Sequence, residues 1–231
     1  MFFSSLISLF LWFRVFCVFL MCGSTFLACS FFFPIQKIQP LARFFCRMCL
    51  WAAGQKIDVV GSYTPNTHPR IYMFNHTSLL DTFICIAVIE EWMGAVGKKE
   101  QFRIPIWGSI LRKWGAVPLD RQNLSKAKGQ LNDVVLFLQA GNALLIAPEG
   151  TRSPTESLQT LKKGPFHVAV QSKAHIIPVH ISGAFYAKNI HSWILRPHRI
   201  LVSFREPIHT QADDDHLQLR EKTAAALQIL S

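Results

Sequence analysis

Residues Val15 to Phe33 form a run of 19 consecutive uncharged side chains. Wound as an α-helix, such a run reaches about 28 Å, close to the hydrocarbon thickness of a bilayer. A chain carrying it must cover that segment with protein or with lipid, and it reads as membrane-associated. Pro34 and Pro40 then break the helix. Residues 41–53 set Arg43 and Arg47 among Phe44, Phe45, Leu50 and Trp51. That is the pattern of an interfacial amphipathic helix, with aromatic rings expected in the membrane interface and cations on anionic head groups. Arg14 is the sole charge in residues 1–33, and its long side chain leaves spanning and re-entrant arrangements both open. A cleaved leader ending near Phe26-Leu27-Ala28-Cys29 competes, but the extreme N-terminus lacks the basic residues that open one.

Charge is as unevenly distributed as hydrophobicity. No acid precedes Asp58, whereas Arg14, Lys37, Arg43, Arg47 and Lys56 do. The whole chain carries 24 Lys and Arg against 14 Asp and Glu, which calls for an anionic partner. Nucleic acid is a poor one, because the early positive charge clusters with Phe and Trp and not on an RNA-binding motif. Basic residues after the hydrophobic run favour a cytoplasmic location for the downstream chain. Small size and a minimal membrane apparatus point to a bacterial inner membrane. With 231 residues, half of them hydrophobic, the chain suits one catalytic-size domain plus an accessory segment, divided as 1–53 and 54–231. Five of the six cysteines (Cys17, Cys22, Cys29, Cys46 and Cys49) fall in the first segment, where Cys acts as a small apolar residue. Cys46 and Cys49 have redox or zinc spacing, but no second ligand pair is near, so no metal is expected. Nucleotide-binding glycine loops, HExxH and GxSxG are all missing from the sequence.

Past residue 57 the chain alternates short apolar runs with helical patterns, which predicts an α/β domain with a mostly parallel sheet flanked by helices. The expected strands are Lys56 to Val60, Arg70 to Phe74, Ala116 to Leu119, Ala143 to Ala147, Ile176 to Ile181 and Ile200 to Phe204. The expected helices are Ser78 to Met93, Pro105 to Trp114, Leu124 to Gln139, Pro165 to Ser172 and Asp215 to Leu230. In such sheets reactive residues gather at strand carboxyl ends.

Four segments occupy such ends. Asn75 to Asp81 follows a strand and opens a helix, so His76 and Asp81 can fold back into contact as a base and its orienter. Ser78 to Asp81 is equally a capping box, in which Asp81 only satisfies backbone donors. The residues alone leave both readings open. Gly115 to Arg121 delivers Arg121, a fork for phosphate or a surface partner of Asp120. Pro148 to Ser153 offers Glu149 for a hydroxyl or for Arg152, Gly150 for close backbone approach, and Arg152 for phosphate; a generic polar turn is the alternative. Ile176 to Val179 reads as a supporting strand.

Taken in order, these blocks resemble the glycerolipid acyltransferases of the 1-acyl-sn-glycerol-3-phosphate acyltransferase type. His76 to Asp81 is similar to their HxxxxD block, Gly115 to Arg121 to the phosphate-region block, Pro148 to Ser153 to PEGTRS, and Ile176 to Val179 to the fourth. Leu161 to Phe166 lies between the last two. The resemblance covers roughly residues 56–210, and the hydrophobic N-terminus looks like the family's membrane-docking helices. Thr77 stands where many members have Gln, and Pro118-Leu119 replaces a commoner Phe-Ile pair. The resemblance implies transfer of a fatty acyl group from acyl carrier protein or coenzyme A thioester to the sn-2 hydroxyl of lysophosphatidic acid, giving phosphatidic acid, with no tightly bound cofactor and no covalent acyl-enzyme. It implies His76 as general base, Asp81 as its partner, and Arg121, Glu149, Gly150, Thr151 and Arg152 as substrate-binding residues. Membrane lipids and an acidic acyl donor fit the net positive charge. Another lyso-lipid acceptor, or acyl exchange between phospholipids, would use the same motif. A non-catalytic membrane lipid-binding protein is the reading from a different class.

Overall fold

In the computed structural model, residues 2–61, 69–120 and 124–228 are described, without the side chains of residues 2, 3 and 124–128. Two helices lead: α1 (Phe2–Phe32) and α2 (Gln39–Ala52), the second carrying in its first turn Pro40, whose missing N–H costs nothing there. Seven strands follow, β1 (Gln55–Val60), β2 (Arg70–Phe74), β3 (Met93–Lys98), β4 (Val117–Leu119), β5 (Ala143–Ile146), β6 (His175–Ser182) and β7 (His198–Phe204). Between and after them lie α3 (Asp81–Val88), α4 (Trp107–Trp114), α5 (Leu124–Gln139), α6 (Gly164–Ser172), the single turn α7 (Ala184–Ala187) and α8 (His216–Leu227), with a 3₁₀ turn at Lys99–Arg103.

The strands form one sheet in the order β1-β7-β6-β2-β5-β3-β4. All neighbouring pairs are parallel except β6 with β7. This is the expected α/β architecture. All five residues of β2 and all four of β5 are buried, as parallel strands covered on both faces must be. Alternation within β2 divides the core: Tyr72 and Phe74 face α1, α2 and α3, while Ile71 and Met73 face α5, α6 and α8. Chain leaving β2 crosses by α3 toward β3, and chain leaving β5 crosses the other face by α6 toward β6. The loops therefore part above the adjacent carboxyl ends of β2 and β5, which opens a crevice there.

Several details depart from the sequence expectation. The helix expected over Ser78 to Met93 is only Asp81–Val88, and β3 takes the residues after it. Glu91 ends the intervening loop in a 2.5 Å pair with Arg70, whose side chain is buried at the other end of β2. Both cations of α2 reach protein partners: the half-buried Arg43 pairs with Glu90 at 3.3 Å, and the exposed Arg47 donates to the carbonyl of Ala87 at 3.1 Å. Arg47 thus caps the C-terminal end of α3, where a positive charge is favourable. Phe45 packs inward with Phe26 and Trp114, leaving Phe44 and Trp51 exposed.

Helix α1 is long and apolar enough to cross a membrane by length and composition. It is also fastened to the sheet domain. Ser8 and Leu11 are buried, the Ser8 hydroxyl accepts from Leu195 N–H at 2.9 Å, and the Trp12 indole donates to the Trp193 carbonyl at 2.8 Å. Its other side exposes Leu9, Phe10, Phe13, Phe16 and Met21. The guanidinium of Arg14 lies 4.6 Å from the ring centre of Trp51, so the helix's one charge rests against an aromatic face of α2. Burial pushes the thiols of Cys46 and Cys49 upward, so this pair stays protonated and unreactive.

Candidate active site

The carboxyl ends of β2 and β5 lie side by side because Met73 pairs with Ile146. The chain beyond β2 is clamped at once: the Asn75 amide donates to the Ile181 carbonyl at 2.8 Å and accepts from Ile181 N–H at 2.7 Å. This side chain substitutes for one step of the β2–β6 ladder, and no sequence signal marked it.

His76 follows, with its backbone held on both sides by the loop after β5. Its N–H donates to Glu149 Oε1 at 2.6 Å, and its carbonyl accepts from Ser153 N–H at 2.6 Å. Its ring Nδ1 lies 2.9 Å from Asp81 Oδ2. The same carboxylate oxygen accepts from the N–H groups of Thr77 and Ser78, each at 2.8 Å. The two readings left open by the sequence are therefore one arrangement. Asp81 gathers the backbone of the turn and uses that rigidity to aim the imidazole. The helix itself starts with Leu80 as cap, and the Ser78 hydroxyl accepts from Leu80 N–H at 3.2 Å while donating to the Lys188 carbonyl at 2.6 Å. With Nδ1–H donating to the carboxylate, the hydrogen-bond network assigns Nε2 as the ring's acceptor.

Glu149 is 1 % exposed and does not line the crevice. Its second oxygen accepts from Gln159 N–H at 2.9 Å, so both oxygens are spent on backbone donors. Burial raises its pKa, opposed by those two hydrogen bonds. The carboxylate ties the loop after β5 to the His76 turn. Gly150 adopts φ +77°, a left-handed conformation that suits glycine. Thr151 is exposed, Arg152 is half-buried, and both line the crevice. Asp120 pairs with Lys99 at 2.8 Å and its N–H donates to the Gln130 side chain at 2.9 Å. Arg121 lies outside the described residues. Among the described residues no group of three potential metal ligands occurs.

Above these residues lies a cavity of about 970 Å³. Its polar end holds His76, Thr151, Arg152 and Lys162, and its apolar end reaches Trp12, Val15, Phe16 and Phe19 of α1. A smaller, almost wholly apolar cavity of about 80 Å³ adjoins it, sharing Phe83 and Trp107 as walls. Those two rings stack with centroids 5.6 Å apart. One space thus joins the His76 imidazole, the side chains of Arg152 and Lys162 and an apolar lining.

A model of the acyltransferase family matches residues 56–182, more than half of the chain. The chain belongs to that family. Relatives of this acyltransferase-family chain include the 1-acyl-sn-glycerol-3-phosphate acyltransferase of Cocos nucifera, 35% identical over 165 residues, covering 71% of this chain and 53% of that protein. The enzyme of the same name from Escherichia coli K12 is 32% identical over 162 residues, covering 69% and 64%. The chain spans little more than half the length of the plant relatives. The crystal structure of the 1-acyl-sn-glycerophosphate (LPA) acyltransferase PlsC from Thermotoga maritima superposes with a TM-score of 0.83 at 21% identity, covering 97% of this chain and 94% of that one. That likeness establishes the shared fold.

Proposed function

We propose that this protein transfers a fatty acyl group from an acyl carrier protein or coenzyme A thioester to the sn-2 hydroxyl of 1-acyl-sn-glycerol-3-phosphate, producing phosphatidic acid. The observation that carries the reading is the His76–Asp81 pair at 2.9 Å, opening on a cavity that is cationic beside the base and apolar toward α1. His76 Nε2 removes the acceptor's hydroxyl proton as the oxygen attacks the thioester carbonyl carbon. The C–S bond breaks, the proton on His76 passes to the departing thiolate, and an ester and a free thiol leave. Asp81 holds the ring and stabilises the imidazolium formed between those steps. Glu149 and Ser153 act as positioning residues, Gly150 and Thr151 shape the polar wall, and Arg152 together with Arg121 binds the acceptor phosphate.

Acyl chains of both substrates occupy the apolar arm, and the exposed faces of α1 and α2 sit in the lipid from which they come. A site facing bulk water would have to withdraw each chain at about 0.8 kcal/mol per CH₂. Docking removes that cost. The names of relatives from plants and bacteria support the acceptor and the product. The test is the purified full chain in detergent, given either thioester with lysophosphatidic acid, lysophosphatidylcholine or 1-acylglycerol, with products followed by mass. Phosphatidic acid as the main product is expected. Preferential acylation of lysophosphatidylcholine would overturn the acceptor assignment, and absence of turnover with every thioester would favour a lipid-binding role.

A further inference from the structure

The polar end of the cavity carries a cation to which the acyl-transfer mechanism gives no role. Lys162 lines the same space as His76, Gly150 and Arg152. Its backbone N–H donates to the Pro148 carbonyl at 2.8 Å, which fixes it beside the first residue of the loop after β5. Its stem lies over the bare backbone of Gly150: a Cβ there would meet Lys162 Cγ at 3.3 Å and Cε at 3.9 Å. Glycine at 150 therefore leaves a track along which the lysine side chain runs.

The neighbouring charges single it out. Lys99 pairs with Asp120 at 2.8 Å, and Lys98, also on the cavity wall, pairs with Glu100 at 3.7 Å. Glu149 is committed to two backbone N–H groups, and Glu156 accepts from the Tyr186 hydroxyl at 2.6 Å. Among the described residues neither Lys162 nor Arg152 has a carboxylate partner. Lys163, the next residue, caps α6 and does not line the cavity. Two cations without counter-ions thus flank a base whose proposed substrate is anionic.

We propose that Lys162 is a headgroup-binding residue that, with Arg152, clamps the phosphate of the acceptor. This rests on the lysophosphatidate reading and extends it by assigning a second cation. A guanidinium supplies a planar fork and an ammonium supplies a point charge on a flexible stem, a combination that holds a phosphate monoester from two sides. The donor also carries phosphate, on its pantetheine arm. In the acceptor a short glycerol link joins the reacting hydroxyl to the phosphate, whereas the full pantetheine arm separates thioester from phosphate. Cations placed next to His76 therefore match the acceptor. The backbone at Arg152 runs beside His76, since the following residue, Ser153, donates its N–H to the His76 carbonyl, and both side chains line the cavity.

The test compares Lys162→Met, Lys162→Arg and Lys163→Met with the unaltered full chain in detergent, measuring kcat and KM for lysophosphatidic acid, for phosphate-free 1-acylglycerol and for the thioester. Lys162→Met should raise KM for lysophosphatidic acid about tenfold, the loss of one charge-assisted hydrogen bond. Its KM for the thioester and its turnover of 1-acylglycerol should not change. Lys162→Arg should recover most of the affinity, and Lys163→Met should match the unaltered chain. Lys162 is exposed, so an unchanged unfolding midpoint for Lys162→Met is expected. A rise confined to the thioester KM would assign the cation to the donor and overturn the proposal. So would equal losses on both acceptors, or an unchanged KM for lysophosphatidic acid. If the unaltered chain failed to acylate lysophosphatidic acid, the acceptor reading and this inference would fall together; with normal turnover, only the inference is at stake.

Discussion

A single oxygen, Oδ2 of Asp81, accepts from three donors: the ring of His76 and the backbone of Thr77 and Ser78. His76 and Asp81 are five residues apart, so their contact is local and legible from the sequence. Glu149 is different. It meets His76 across 73 positions, and Asn75 meets Ile181 across 106. Such ties depend on strand order, which the sequence does not display. A substrate-binding Glu149 and a positioning Glu149 predict different kinetics. Glu149→Gln turns one acceptor oxygen into an NH₂ group facing a backbone N–H, so one of its two hydrogen bonds is lost. Stability should fall by about 1–3 kcal/mol, the cost of a buried donor left unmade. kcat should fall while KM for either substrate stays within about twofold. Denaturant unfolding and steady-state kinetics check both, and a large rise in acceptor KM with kcat intact would return Glu149 to direct binding.

Apolar, β-branched strands such as β2, β5 and β6 announce themselves, and each lies within a residue or two of its expected bounds. Strand β3 does not, because its sequence, Met93-Gly94-Ala95-Val96-Gly97-Lys98, is dictated by what packs on it. A Cβ on Gly94 would approach Phe137 Cζ to 2.8 Å, and one on Gly97 would approach Phe102 Cε2 to 3.2 Å. Small residues admit those rings and erase the alternation that reveals a strand. Gly94→Ala is therefore expected to cost about 1–3 kcal/mol by overpacking. Adding Phe137→Leu should recover part of that loss, since it withdraws the clashing ring. Thermal or denaturant unfolding of the double-mutant cycle measures the coupling, and strictly additive losses would show that the ring is not the cause. Arg43 and Arg47 show the same limit: spacing put them on a polar face, but their partners, Glu90 and the Ala87 carbonyl, lie 47 and 40 positions away.

At the scale of the whole molecule, α1 and α2 form a layer of the protein. Leu11, Leu50 and Ala53 belong to the same buried cluster as Tyr72, Phe74 and Ile84. Removing residues 1–53 would expose that core and unroof the cavity. Such a truncated chain should lose cooperative unfolding and activity even on short-chain soluble acceptors. Retained activity there would mean that the sheet domain folds alone. Acidity probes the opposite side of the molecule. The rings of His167 and His216 lie 4.1 Å apart, tilted, and those of His175 and His209 meet edge-on at 4.7 Å, each pair joining the C-terminal segment to the body of the domain. Burial, and then the charge of the partner His, lower the pKa of His167 and His175; burial and Arg205 lower that of His180. Lys163 adds to the effect on His167, Asp215 lies 3.8 Å from His216, and Glu156 partly opposes the shift at His180. A lowered folded pKa means that, below the ordinary value of 6.5, the unfolded chain binds more protons. Stability is then complete above that value and declines as pH falls from 6.5 through the lowered values. Unfolding midpoints at pH 7.5 and 5.5 should show the loss on the acid side, and equal or higher stability at pH 5.5 would contradict it.

The proposed function makes His76 the base of an acyl transfer. Its ring is aimed by Asp81, its backbone is fixed by Glu149 and Ser153, and it opens on a cavity with one cationic and one apolar end. The direct measurement is the rate of phosphatidic acid formation from lysophosphatidic acid and an acyl thioester by the full chain and by His76→Ala, with unfolding midpoints recorded for both. Removing a general base is expected to lower kcat by about 10²–10⁴-fold. The midpoint should change little, because both backbone hydrogen bonds of residue 76 survive the substitution. Near-normal turnover by a folded His76→Ala protein would contradict the account and leave Asp81 as a cap for its turn.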